Sequence, residues 1–122
     1  MNLAHVAATA LTVLVAGAHS YLGERYILIP LFQREDLPRL LGSAEFTRHT
    51  MRLAWHITSV VFIGLAVVLN LLPASGDGSP SPAAQAVAVT YGVSGLVALL
   101  GSRGRHLSWI AFFAVAALVW WG

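Results

Sequence analysis

Four runs of apolar residues, each close to the length of a membrane-crossing helix, dominate this sequence. About 20 consecutive apolar residues cross the hydrocarbon core of a bilayer as an α-helix. The 122-residue chain places such runs, separated by short polar or glycine- and proline-rich segments, at about 3–22, 51–72, 83–100 and 106–121. We therefore predict an all-α fold. Residues 1–122 would form a single domain, an integral membrane four-helix transmembrane bundle.

The composition indicates that lipid is the main solvent of this chain. Hydrophobic residues make up 57% of it and charged residues 10%, whereas a soluble domain carries roughly a quarter charged residues. All seven basic residues are arginines, interleaved with acids beside apolar runs. That distribution is typical of membrane topology and not of a nucleic-acid-binding surface. Cysteine is absent, which excludes disulfides and thiolate metal sites.

The distribution of arginine predicts the orientation. Five arginines lie between positions 25 and 52, and the other two lie at 103 and 105, between the third and fourth runs. The positive-inside rule places these two connections, a loop at 23–50 and a short turn, in the cytoplasm. Both termini and the second connection, 74–83, then lie on the outer side. We predict a multi-pass protein of the bacterial inner (cytoplasmic) membrane.

The first cytoplasmic loop carries both signs of charge and two apolar stretches, at 26–32 and 37–41. This pattern predicts a short amphipathic element that rests on the inner membrane surface. The loop is also the candidate docking surface for a protein partner. A homo-oligomer is a further possibility, because the third helix has small residues at a spacing of four that would suit helix–helix contact inside the bundle or between copies: Ala84, Ala88 and Gly92.

Histidines concentrate in the cytoplasmic half of the predicted bundle. His19 lies near the cytoplasmic end of the first helix, and His56 lies about one and a half turns inside the second helix from the same end. His106 opens the fourth helix there, and His49 and Glu24 border the same end. Polar side chains at membrane depth are costly and tend to serve function, so these residues mark the candidate site.

Two interpretations of this cluster compete. In the first, His19 and His56 bind a cofactor, either a transition metal ion or the iron of a haem, with Glu24 or His106 as additional metal ligands. In the second, the histidines and Arg52 are interfacial groups that bridge helices and contact lipid head groups. No HExxH, Walker or nucleophile-elbow motif is present, so the sequence indicates no particular reaction.

Two stretches of the first half of the chain also form a recognisable pattern, His19-Ser20-Tyr21-Leu22-Gly23-Glu24-Arg25 and Arg52-Leu53-Ala54-Trp55-His56-Ile57-Thr58-Ser59. The pattern, HSxLGER followed by RxxWHxxS, resembles one in small, uncharacterised bacterial four-helix integral membrane proteins. The resemblance implies the four-span fold and no activity. It draws attention to the histidine pair and Glu24, and the candidate supporting residues are Arg52, His49, Trp55 and Ser59.

We therefore expect a small inner-membrane protein whose histidine-lined cytoplasmic half binds a metal or haem, for electron transfer. Two alternatives stay open: a structural or accessory subunit without a cofactor, and a protein that handles a small solute or a lipid. In either functional class we expect His19 and His56 to approach one another across the interface of the first two helices, with Arg52 and Glu24 at the same opening.

Overall fold

The computed structural model describes residues 2–71 and 79–122. Within those ranges the chain is helical, and the only strand-like pairing is an isolated bridge between Leu40 and Ser43. The elements are α1 (Leu3–Gly23), a π-helical segment (Glu24–Leu28), α2 (Ile29–Phe32), α3 (Ala44–Leu71), α4 (Pro82–Gly101) and α5 (Ser108–Trp121). Half of the predicted outer loop at 74–83, residues 74–78, lies outside the described residues.

Three helical segments are long and apolar enough to cross a membrane. They are Leu3–Phe32 with 30 residues, Ala44–Leu71 with 28 and Pro82–Gly101 with 20. The fourth, Ser108–Trp121, is apolar but has only 14 residues, which at about 1.5 Å per residue is shorter than a hydrocarbon core of about 30 Å. The predicted helical fold of the described residues is confirmed, together with three helices of membrane-spanning length and apolarity.

The helices extend further than the hydrophobic runs. The first continues through the π-helical segment to Phe32, and α3 begins at Ala44 and not at 51, so the non-helical part of the first connection is 33–43 and not 23–50. Hydrophobic run length marks what lipid can surround, whereas a helix can continue into the head-group region. The first turns of α3 are stabilised by contacts of Glu45 with Arg48 and His49.

The π-helical segment has a local cause in the sequence. Pro30 is the second residue after it, and a proline ring collides with the carbonyl four residues earlier in a regular α-helix. In the wider turn, the Ile29 N–H bonds to the carbonyl of Glu24, five residues back. The chain therefore accommodates Pro30 without ending the helix, and the extra residue in the turn changes which side chains face α3.

The first connection is held against α3 by one threonine. The Thr47 hydroxyl accepts from the Leu40 N–H at 3.0 Å and donates to the Pro38 carbonyl at 2.6 Å. Nearby, Arg34 hydrogen-bonds both carboxylate oxygens of Asp36, which lowers the pKa of that carboxyl below its ordinary value. Both of those side chains are exposed, so that pair contributes little to stability.

The helices pack closely near the termini and less closely at the other end. α1 contacts both α3 and α5, while α4 packs mainly on α5 and only slightly on α3. The core lies near the end where the Asn2 side chain donates to the Gly122 carbonyl, and small residues on α1 and α4 allow its close contacts. Its buried members are Ala8, Leu69, Ala84, Val87, Ala88, Tyr91, Val115 and Val119.

Candidate functional site

α1 and α3 approach each other closely where the π-helical segment begins. Gly23 is buried beneath the indole of Trp55, and a Cβ at that position would overlap the ring. The Trp55 indole N–H donates to the His19 carbonyl at 3.1 Å. The His19 imidazole stacks on the same indole, with ring centroids 4.6 Å apart and planes inclined by 4°. Glycine, tryptophan and histidine therefore fix the spacing of the two helices.

On the same helix pair, Glu24 is held between two side chains of α3. Arg52 binds its carboxylate through Nε at 3.0 Å and through Nη2 at 2.8 Å, and His56 Nε2 lies 3.1 Å from Oε2. Arg52 and His56 are four residues apart, so they project from one face of α3. The guanidinium also lies 5.1 Å from the centre of the Phe32 ring. These are charge-assisted hydrogen bonds in a partly buried place.

The other nitrogen of His56 continues this network into the helix interface. His56 Nδ1 lies 3.0 Å from the Ser20 hydroxyl, and Ser20 donates to the Ser59 hydroxyl at 2.9 Å. Ser59 is 6% exposed. Both ring nitrogens of His56 therefore have partners, and a continuous chain of hydrogen bonds runs from Arg52 through Glu24 to Ser59.

A cavity of about 580 Å³ lies beside this interface, toward the end of the bundle with the first connection and the α4–α5 turn. Its walls come mainly from α1, α3 and α5, with further residues from the π-helical segment and the α4–α5 turn. Among the described residues, Tyr91 is the single contribution of α4. Most of the lining is apolar or aromatic, for example Val15, Leu22, Phe62 and Phe112. The residues with polar side-chain atoms that line it are Thr12, His19, Tyr26, Trp55, Thr58, Ser59, Tyr91, His106 and Ser108.

The inner wall of the cavity is ordered by Tyr91. Its hydroxyl donates to the Phe62 carbonyl at 3.1 Å and lies 3.2 Å from the Thr12 hydroxyl. Its ring also belongs to an aromatic cluster with Phe62 and Phe112, whose centroids are 5.2 to 6.1 Å apart. Tyr91 is 1% exposed. The cavity thus has a rigid aromatic wall with its polar atoms already paired.

The structure brings most of the predicted site residues to one end but divides them between two places. Glu24, Arg52 and His56 belong to the hydrogen-bonded network, His19, Trp55 and His106 line the cavity, and Ser59 belongs to both. His49 belongs to neither, since its exposed ring contacts Glu45 at 2.8 Å on the surface of α3.

His19 and His56 lie at the same helix interface but have different partners. His56 bonds to Ser20 and Glu24, while His19 stacks on Trp55 and lines the cavity. The rings of His56 and His106 are both within electrostatic range of His19. The predicted pair is therefore near in space, and each member belongs to a separate environment.

The predicted metal ligands do not form a chelating group. Among residues 2–71 and 79–122, no group of three or more histidine, aspartate or glutamate side chains is arranged to hold a metal ion. His19, His56, Glu24 and His106 are thus not assembled as one ligand set. Ligation through either nitrogen of His56 would also replace a hydrogen bond to Ser20 or to Glu24.

Sequence reasoning did not assign Ser20, which joins His56 to Ser59. A signal for it was present, because Ser20 and Glu24 are four residues apart and share a helix face, as Arg52 and His56 do. Matching these two faces would have placed Ser20 opposite His56. The role of Tyr91 in the cavity wall had no comparable signal, since it depends on how four helices meet.

No protein-family model, curated protein or solved structure matches this chain. The class that the fold defines is an all-helical chain, over its described residues, with three helices able to cross a membrane.

Proposed function

We propose that this protein is a small multi-pass protein of the bacterial inner membrane that binds a hydrophobic small molecule or lipid between α1, α3 and α5. The observation that carries this proposal is the cavity of about 580 Å³ with a mainly apolar and aromatic lining. Ligand sites typically have volumes of about 300–1,000 Å³, with apolar walls and a few polar groups that fix orientation. This is the lipid- and solute-handling class that the sequence left open.

The proposal includes a topology. All four helices would cross the membrane as a bundle, with the connection 33–43 and the α4–α5 turn in the cytoplasm and both termini outside. The arginine distribution supports this orientation, and the contact between Asn2 and Gly122 supports termini on one side. The cavity would then lie in the inner-leaflet half. Membership of the small four-helix family suggested by the HSxLGER pattern belongs to the same proposal.

The occupant would be amphiphilic. His19 lines the cavity with a ring that stacks on Trp55. His106 binds Ser108 through Nδ1 at 2.7 Å, which leaves its Nε2 for another partner. A molecule with an apolar body against Phe62 and Phe112, and a polar group beside His19, would satisfy both kinds of surface.

Ligation of a metal or haem by His19 and His56, with electron transfer as its purpose, remains a separate prediction. It has less support, because both nitrogens of His56 already have protein partners. A cofactor-free accessory role also remains a prediction, as do a homo-oligomer and a protein partner docking on the first cytoplasmic connection.

The test is to identify what the purified protein retains. Protein in a mild detergent would be extracted with organic solvent, and the extract analysed by mass spectrometry. We expect an amphiphile in near-stoichiometric amount with the wild type and its loss in Ala111→Phe, which adds a ring inside the cavity. Ile110→Phe is the matched control, since Ile110 is exposed at the position of α5 just before Ala111 and does not line the cavity.

The same samples distinguish the other classes. An extract in which no molecule depends on Ala111 would contradict the proposal. A haem absorption band, or a stoichiometric metal that both His19→Ala and His56→Ala abolish, would support the metal or haem prediction instead.

A further inference from the structure

A continuous chain of hydrogen bonds joins the cavity wall to the charged groups at the helix ends. Ser59 lines the cavity and accepts from Ser20 at 2.9 Å, Ser20 lies 3.0 Å from His56 Nδ1, and His56 Nε2 lies 3.1 Å from Glu24. Each of these distances is within the range over which a proton can be passed. Ser20, His56 and Glu24 do not line the cavity, so the chain leads away from it through the α1–α3 interface.

The donors and acceptors of this chain are consistent with two protonation states of His56. A carboxylate only accepts, so Nε2 of His56 donates to Glu24 in both. In the structure, Ser20 donates to Ser59. With the hydroxyl in that orientation the single proton of Ser20 is in use, so the chain is complete only when Nδ1 of His56 donates to Ser20, which requires the imidazolium form. If both hydroxyls turn, Ser59 donates to Ser20, Ser20 donates to Nδ1, and the ring is neutral with the same contacts.

We propose that the chain Ser59–Ser20–His56 is a proton relay that exchanges a proton between the molecule in the cavity and Glu24 at the cytoplasmic end of the interface. The inference rests on the proposed function, because the relay needs an occupant with an exchangeable proton. It also narrows the class of that occupant to a lipid-soluble molecule with an ionisable aromatic hydroxyl. An aromatic ring matches the wall formed by Phe62 and Phe112, and its hydroxyl can donate to Ser59.

The transfer is balanced bond by bond. The O–H bond of the occupant breaks and Ser59 takes that proton. Ser59 passes its own hydroxyl proton to Ser20, and Ser20 passes its own hydroxyl proton to Nδ1 of neutral His56. The occupant becomes an anion and His56 becomes an imidazolium. Ser20 now donates to Ser59, which is the direction in the structure. Release of the Nε2 proton to Glu24 or to water leaves the neutral ring with its proton on Nδ1. Exchange of the ring to the Nε2–H tautomer, followed by rotation of both hydroxyls, restores the starting state.

The charges around His56 favour this direction of transfer. Glu24 faces it from the π-helical segment, and Arg52 on its own helix binds Glu24 through two nitrogens, which favours the carboxylate form. A carboxylate beside the ring stabilises the imidazolium. Two groups oppose the charge on the ring: the Arg52 cation, which binds the same carboxylate, and His19 on α1 when it is protonated. Histidine and carboxylate chains at membrane depth are a recurring form of proton pathway.

The relay can be tested with 2-naphthol, a small apolar aromatic alcohol that becomes strongly acidic in its excited state. Protein in lipid nanodiscs would be given 2-naphthol, with binding measured by equilibrium dialysis and proton transfer measured by naphtholate emission. We expect binding that Ala111→Phe removes and Ile110→Phe leaves, together with naphtholate emission from the bound probe. Ser59→Ala and Ser20→Ala should keep binding and lose that emission.

Two further variants keep the result specific. Ser59→Thr retains a hydroxyl and should restore naphtholate emission. Thr58→Val is the matched control, because Thr58 also lines the cavity while its hydroxyl bonds to the Ala54 carbonyl and not to the relay. Absence of cavity binding would overturn the proposed function and the relay together. Binding without naphtholate emission, or emission that survives Ser59→Ala through direct transfer to His19, would overturn the relay alone.

Discussion

At the scale of single residues, the α1–α3 interface depends on the absence of a side chain at one position. Gly23 lies beneath the Trp55 indole, whereas Gly17, also on α1, has nothing within 4 Å of the place a Cβ would occupy. The two glycines lie on the same helix but have different surroundings. Substituting each one by alanine therefore separates the effect of helix propensity from the effect of packing.

We predict that Gly23→Ala lowers the free energy of unfolding by about 1–3 kcal/mol, because the methyl group overpacks against an indole held by two contacts to His19. Gly17→Ala should be neutral or stabilising by up to about 1 kcal/mol, since alanine is the better helix former. Unfolding of both variants in mixed micelles measures this. Equal effects of the two substitutions would contradict the close contact.

The residue-level site was only partly predictable from the sequence. Run lengths and helical periodicity placed Glu24, Arg52 and His56 at one depth, and the structure joins them. Run lengths and periodicity could not show that His19 and His56 have different partners, because the partners depend on the orientation of each ring at the interface. Hydropathy carries no information about that orientation.

At the scale of elements, the connection between α2 and α3 is ordered by Thr47 and not by helix formation. Its hydroxyl accepts a hydrogen bond from the Leu40 N–H and donates one to the Pro38 carbonyl, and Thr47 is 6% exposed. The sequence predicted a short amphipathic element within the loop 23–50, from its apolar stretches at 26–32 and 37–41. It could not indicate that Thr47 holds the connection 33–43 against α3.

We predict that Thr47→Val accelerates amide hydrogen exchange at Leu40 and lowers the free energy of unfolding by about 0.5–1.5 kcal/mol, the net contribution of a typical hydrogen bond. The Leu40 N–H loses its acceptor in this variant. Exchange measured by mass spectrometry in nanodiscs checks it, with Thr50→Val as control on an exposed position of the same helix. Fast exchange at Leu40 in the wild type would count against the described contact.

At the scale of the whole molecule, the four apolar runs predicted the helices but did not predict how the helices pack. The cavity exists because α4 packs mainly on α5 and contacts α3 only slightly. No pattern within a single helix determines that difference. The small residues of α4 illustrate this, since Ala84 and Ala88 are buried in this chain's own core, while the sequence also allowed a role between copies.

Orientation is the prediction that belongs to this scale. Reporter fusions at Pro38, in the first connection, should report a cytoplasmic location, and fusions after Gly122 should report a periplasmic one. The physical reason is the excess of arginine at the end with the first connection and the α4–α5 turn. Activity of an alkaline phosphatase fusion at each point measures it. The reverse pattern would invert the proposed orientation, and fusions at both points on one side would contradict the four-span topology.

The parallel stack of His19 on Trp55 gives the molecule an optical signal of its own. An imidazolium in face contact with an indole quenches its fluorescence, and a cation is also held there by the ring's quadrupole. If Trp109, Trp120 and Trp121 were each replaced by phenylalanine, the tryptophan emission would come from Trp55 alone. Because His19 also lines the cavity, any molecule that bonds to its ring or alters its charge would change that emission. The intensity of one tryptophan could then follow the filling of the cavity in an intact membrane, without an added label.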